Sequence, residues 1–168
     1  MWRTHTVGTQ PPGATTPSPA PRQPPSLLHP RLDAAGYSIG ARFLELVAFR
    51  ERPGRREGGV VPMLQFASSS MWTVLFGRPA DALEKSTDKA HAYMIRDDEP
   101  LVSSFISVPK DMSRFNPASF MAGILRGVLD SAGFPCTVQA VTLAAEGGGP
   151  RDRTVFLVTF DESVMHDG

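Results

Sequence analysis

Half of the sixteen prolines in this 168-residue chain fall between Pro11 and Pro30. Proline has no N–H to donate and a fixed φ, so a cluster of this density suits neither a helix interior nor a central strand. The first thirty residues contain no Asp or Glu and few large apolar side chains. Such a segment buries too little surface to offset the entropy of ordering it. The chain is therefore expected to divide into a disordered tail, residues 1–30, and one folded domain, residues 31–168, long enough for a single hydrophobic core.

Seventeen basic and seventeen acidic residues leave no formal net charge. A nucleic-acid partner is set aside, because neutralising phosphates calls for a basic excess. The lone cysteine, Cys136, excludes an intramolecular disulfide and a zinc site built on cysteine pairs. It fits a reducing, cytoplasmic setting. No apolar run approaches a membrane span, and Met1–Gln10 lacks the apolar core of a secretory signal.

Helical spacing of Ile39, Phe43, Leu46 and Val47 predicts a first helix from about Ser38, ended by Pro53–Gly54. A mildly basic loop, 50–57, follows. Leu64, Ala67, Met71, Trp72, Leu75 and Phe76 predict a second helix, thinned at Ser68–Ser70 and stopped by Gly77. Asp81–Lys89 is expected to be a polar turn or loop. His91–Arg96 and Phe105–Val108 are expected strands, with Asp97–Asp98–Glu99–Pro100 as a solvated turn between them.

The best-specified element is a helix over 117–132. Asn116 is a good N-cap, Pro117 suits N1, and Phe115 and Phe120 are placed for a hydrophobic staple. Gly133 and Phe134 suit a Schellman closure. Gly123 and Gly127 give this helix a flat strip, expected to pack on a sheet; Arg126 and Asp130 argue against a membrane span. Strands at 137–143 and 154–160, joined by Gly147–Gly148–Gly149–Pro150, suggest an antiparallel hairpin. The fold class expected is α+β, an antiparallel sheet of about four strands packed on a layer of helices.

No catalytic set emerges. The four histidines lack metal-ligand spacing, no glycine-rich phosphate loop precedes a helix, and Cys136 has no flanking base. No enzyme, cofactor or metal is expected. The apolar surplus on the first two helices reads as a partner surface, with Phe43, Leu46, Val47, Met71, Trp72, Leu75 and Phe76 as candidate interface residues and Trp72 as anchor.

Three segments carry a family resemblance. They are Gly40–Leu46 (GARFLEL), Trp72–Glu84 (WTVLFGRPADALE), and the run from Asp98 through Phe105–Asp111 (FISVPKD) and Phe120–Ile124 to Gly133–Phe134–Pro135. Together they resemble the small-subunit family of the transport protein particle (TRAPP) complex, in its subunit 5 branch, over roughly residues 31–166. The resemblance implies a structural subunit of a vesicle-tethering complex at endoplasmic reticulum and Golgi membranes. It implies other TRAPP small subunits as partners, the acylated one among them. It also implies indirect engagement of a Rab-type GTPase, whose nucleotide exchange the complex promotes, and peripheral membrane association through the complex. Family members begin with an apolar helix ahead of the segment matching Arg31–Val47. The proline-rich stretch stands there instead, so that helix is expected to be missing. The sister subunit's acylated cysteine has no counterpart at Cys136. The alternative reading is a small apolar-ligand or acyl-chain binding module.

Overall fold

The computed structural model describes residues 25–50, 59–108, 115–143 and 153–166. Residues 1–24, 51–58 with nearly all of the basic loop, 109–114, 144–152 with the glycine-rich loop, and 167–168 lie outside the described residues.

The described residues open with α1 (Pro25–Arg50). A continuous helical rod follows, made of α2 (Val60–Phe66), a π-helical segment (Ala67–Met71) and α3 (Trp72–Phe76). Next come β1 (Ala82–Lys85), β2 (Ala92–Asp97), the single turn α4 (Leu101–Ser104) and α5 (Ser119–Ser131). The hairpin β3 (Cys136–Leu143) and β4 (Arg153–Phe160) and a short 3₁₀ turn (Glu162–His166) close the described chain. The four strands form one antiparallel sheet in the order β1-β2-β4-β3. Helices cover one of its faces, so the α+β class holds.

The core lies between sheet and helices. Phe156, Val158 and Phe160 of β4, Ile95 of β2, Leu125, Val128 and Leu129 of α5, and Leu64, Met71 and Trp72 of the rod are all buried there. Alternation along β4 is strict, with every second residue from Thr154 to Phe160 buried, as a half-covered strand requires.

The π-helical segment explains how the serine-thinned rod keeps one buried face. Its buried residues recur in pairs every four positions: Met63–Leu64, Ala67–Ser68, Met71–Trp72. An α-helix turns once in about 3.6 residues, so a four-residue repeat would drift around it. The wider π turn takes up that drift. Gly77 then ends the rod at φ 82°, and its N–H bonds the Thr73 carbonyl at 2.9 Å.

Helix α5 starts at Ser119, two residues later than expected, after a turn in which the Ser119 N–H bonds the Asn116 carbonyl. The Asn116 side chain accepts the Ala118 N–H at 3.0 Å. At the other end the Phe134 N–H reaches the Leu129 carbonyl at 2.9 Å and the Gly133 N–H reaches Asp130 at 3.0 Å, with Gly133 at φ 91°. These are the two bonds of a Schellman closure.

Four expectations are corrected. First, α1 begins at Pro25, well before Ser38, and takes in residues 25–30, which composition had placed in the tail. Pro25 opens the helix, where its missing N–H has no intrahelical partner to lose, whereas Pro30 lies inside it and forgoes one intrahelical bond. Second, residues 82–85 are an edge strand, not a loop; Ala82–Lys85 pairs with Arg96–Tyr93. Third, Phe105–Val108 is not a strand. The position beside β2 that it would need is already filled by β1. Fourth, Gly123 and Gly127 face a helix and not the sheet. A Cβ on Gly123 would meet the Asp33 carbonyl oxygen at 2.1 Å, and one on Gly127 would meet that of Tyr37 at 2.3 Å. The strip is reciprocal, since Gly36 and Gly40 of α1 stand equally close to the Phe120 and Ile124 carbonyls. Two Gly-x-x-x-Gly faces thus bring α1 and α5 into backbone contact.

Candidate interaction surface

The glycine knuckle decides which face of α1 is left open. Gly36 and Gly40 turn toward α5, and Arg126 of α5 clasps the same face. Its guanidinium bonds Asp33 at 2.5 Å and lies 4.6 Å from the Tyr37 ring centroid. Two residues of the apolar stripe expected to meet a partner are therefore turned away from α5. Ile39 is 44% exposed and Leu46 48% exposed, while Phe43 is half-buried and packs against the core. Ile39 and Leu46 fall at i and i+7, one side of the helix. The Val47 side chain lies outside the described residues.

The rod behaves differently. Met71 and Trp72 are each 1% exposed, so neither offers a surface to a partner, and their place among the interface candidates is corrected. The Trp72 ring meets Phe76 and Phe156 edge-to-face at 5.0 and 5.4 Å. Leu75 and Phe76 are half-buried against the core. The outward apolar residues of the rod are Val61 and Val74, the latter 68% exposed. Sequence reading passed over them because each is an isolated valine off the apolar stripe.

Trp72 is held by a carboxylate that sequence placed in a solvated turn. Asp97 is buried at the end of β2, where it accepts the Trp72 Nε1–H at 3.2 Å and the Glu99 N–H at 3.0 Å. It also pairs with the Arg78 guanidinium. Arg78 bonds Asp81 at 3.0 Å, and Asp81 accepts the Asp98 N–H at 2.7 Å. Partial burial would raise the Asp81 carboxyl, but the Asp98 N–H and the Arg78 charge outweigh it and hold it below its usual value. This cluster locks the end of the rod to the β1–β2 corner. A buried carboxylate with such partners is a clamp.

Two other features stand out. Phe105 is 87% exposed just after α4, with Leu101 and Ile106 beside it in sequence and about half exposed. An open groove of about 410 Å³ runs between the first turns of α1 and β3, reached by His29, Pro30 and Asp33 on one side and Val138–Val141 on the other. Its mixed lining, with Ser119 and Ala122 of α5, is unlike the enclosed apolar cavity that a lipid-binding module would need. Cys136 is buried; burial, with Asp130 nearby, pushes its thiol up to about 12. A thiol so placed is a poor nucleophile. Among the described residues, no three His, Cys, Asp or Glu side chains are placed to hold a metal ion, and no helix is long and apolar enough to cross a membrane.

Comparison with known proteins bears on this surface. A family model described as "Transport protein particle (TRAPP) component" matches residues 22–161. The chain is 45% identical to trafficking protein particle complex subunit 5 of Dictyostelium discoideum over 138 residues, 82% of this chain and 74% of that one. It is 40% identical to the Homo sapiens protein of the same name, over 82% of this chain and 69% of the other. A crystal structure of trafficking protein particle complex subunit 3 from Naegleria fowleri, covalently bound to palmitic acid, superposes with a TM-score of 0.66 at 16% identity, covering 84% of each chain. That last likeness speaks to the fold alone.

Proposed function

This chain belongs to the TRAPP component family, and on that premise we propose that it is a non-enzymatic subunit of a TRAPP complex, held in place by other small subunits. The observation that carries this reading is the exposed apolar pair Ile39 and Leu46 on one side of α1. An apolar stripe left open by a well-packed core is surface that an assembly partner covers. Val74 and Phe105 supply further apolar surface for neighbours.

In this reading the chain acts at the cytoplasmic side of endoplasmic reticulum and Golgi membranes, peripherally and through the complex. Its contribution to nucleotide exchange on a Rab-type GTPase is indirect, by holding neighbours in register. One of those neighbours is the acylated small subunit. Co-expression with candidate TRAPP small subunits, followed by size-exclusion chromatography, tests the proposal. Co-elution at a defined stoichiometry supports it. A chain that elutes alone beside every small subunit overturns it.

A further inference from the structure

His29 lies in the second turn of α1 and makes a contact that only its neutral ring can make. Its Nε2 accepts the Asn116 N–H at 2.8 Å. A backbone N–H can only donate, so Nε2 offers its lone pair and the ring proton lies on Nδ1. The ring also meets Phe115 edge-to-face, with centroids 6.0 Å apart. A protonated imidazole carries N–H on both nitrogens and has no lone pair to accept with. The bond and a charged ring exclude one another.

The other end of this bond is a junction. Asn116 caps the start of α5 through Oδ1, which accepts the Ala118 N–H at 3.0 Å. It reaches β3 through Nδ2, which donates to the Ala140 carbonyl at 3.1 Å. His29 thus ties α1 to the point where α5 and β3 are already joined.

The start of α1 depends on that tie. Pro25 and Pro30 both lie in it, and Pro30 has no N–H to give the Ser26 carbonyl. The close backbone contact with α5 begins at Asp33, whose carbonyl faces Gly123, and Arg126 clasps the Asp33 side chain. Ahead of Asp33 the helix is held through the bond from Asn116 to His29.

Among the described residues, the charged side chain that shares the groove of about 410 Å³ with His29 is Asp33. It is four positions on, and so lies on the same side of the helix. Arg126 of α5 pairs with it. Arg31, two positions on, does not share that side. β3 presents Val138–Val141 to the groove and α5 presents Ser119 and Ala122, none of which titrates. The groove is open, so water reaches the ring, and Asp33 gives a charged ring a carboxylate to turn to once it leaves Asn116.

We propose that His29 is a proton-operated latch. A proton taken from solvent onto Nε2 breaks the bond to Asn116 and frees about the first two turns of α1, as far as the clasp of Arg126 on Asp33. The glycine contact between α1 and α5 stays closed. The latch does not depend on which complex the chain joins.

The test is a pair of NMR measurements on the full chain from about pH 7.5 down to about pH 5.5, the span in which imidazole changes charge. The first is amide exchange at Asn116, corrected for its intrinsic pH dependence and referred to Leu125 in the middle of α5. Exchange at Asn116 should rise about five- to tenfold, as for the loss of one hydrogen bond, with Leu125 unchanged. His29→Gln supplies a carbonyl acceptor that takes up no proton in this range, and its Asn116 exchange should not vary with pH. The second is the imidazole nitrogen shifts of His29, assigned by their absence from His29→Gln. At the upper end of the range they should report a proton on Nδ1 and a hydrogen-bonded Nε2. A proton on Nε2 there overturns the proposal, however the variant behaves. So does flat Asn116 exchange in the parent, or an equal rise in His29→Gln. A parallel rise at Leu125 overturns it as well, since the whole domain would then be loosening.

Discussion

The Tyr37 carbonyl oxygen stands where the Cβ of any residue larger than glycine at position 127 would have to go, 2.3 Å away. The obstacle is backbone, so no side-chain rotation relieves it. Gly127→Leu is expected to force α1 off α5 and destabilise the domain by about 1–3 kcal/mol or more. Gly123→Ala should act in the same direction, since its Cβ would meet the Asp33 carbonyl at 2.1 Å. Urea unfolding measures both, and an unchanged midpoint for Gly127→Leu would mean the helices are not in backbone contact.

Trp72 is a core residue with a polar tether. Trp72→Ala removes its contacts with Phe76 and Phe156 and leaves Asp97 short of one donor. The expected cost is about 3–5 kcal/mol of stability. Affinity for a small subunit, measured per folded molecule, should not change. Weakened affinity at unchanged stability would return Trp72 to the interface.

How much of this was legible beforehand depends on how local each cause is. The ends of α5 could be read because Asn116, Pro117, Gly133 and Phe134 set them within a few residues. The open face of α1 was legible in part: Leu46, expected at a partner surface, is exposed, whereas Phe43 packs against the core, and the reciprocal fit of Gly36 and Gly40 to Gly123 and Gly127 sets which side is open. One member of that glycine pair was recognised and its partner was not, because its complement is far off in sequence. Trp72 was misplaced because the π-helical turn re-aims it. β1 was missed because an edge strand needs few apolar residues, and Phe105–Val108 was misread because composition says nothing of which strand takes the place beside β2.

Asp81 gives the fold an acid-sensitive corner. Its folded carboxyl lies below the ordinary value of 3.8. The stability it contributes is thus present above pH 3.8 and lost as pH falls through the depressed folded value. Asp81→Asn should be less stable than the parent near neutral pH, and the two urea midpoints should converge as the solution is acidified below pH 3.8. A gap that persists unchanged into strong acid would contradict the linkage.

The Cys136 thiol, pushed up to about 12, should resist alkylation in the native chain at pH 8 and react rapidly in urea. Because the folded state keeps its proton longer, stability should decline as pH rises from about 9.0 toward 12. Equal alkylation rates in native and unfolded protein would show the thiol to be accessible.

The exposed side of α1 serves as assembly surface, and one substitution tests this most directly. Leu46→Arg puts a charge where the free chain already meets water, since Leu46 is 48% exposed. The isolated variant should unfold at the parent's urea midpoint. Co-expressed with the small subunits that retain the parent on size-exclusion chromatography, it should elute free of them, because a buried, unpaired charge is costly at an interface. Undiminished co-elution of Leu46→Arg would contradict the assignment of this face.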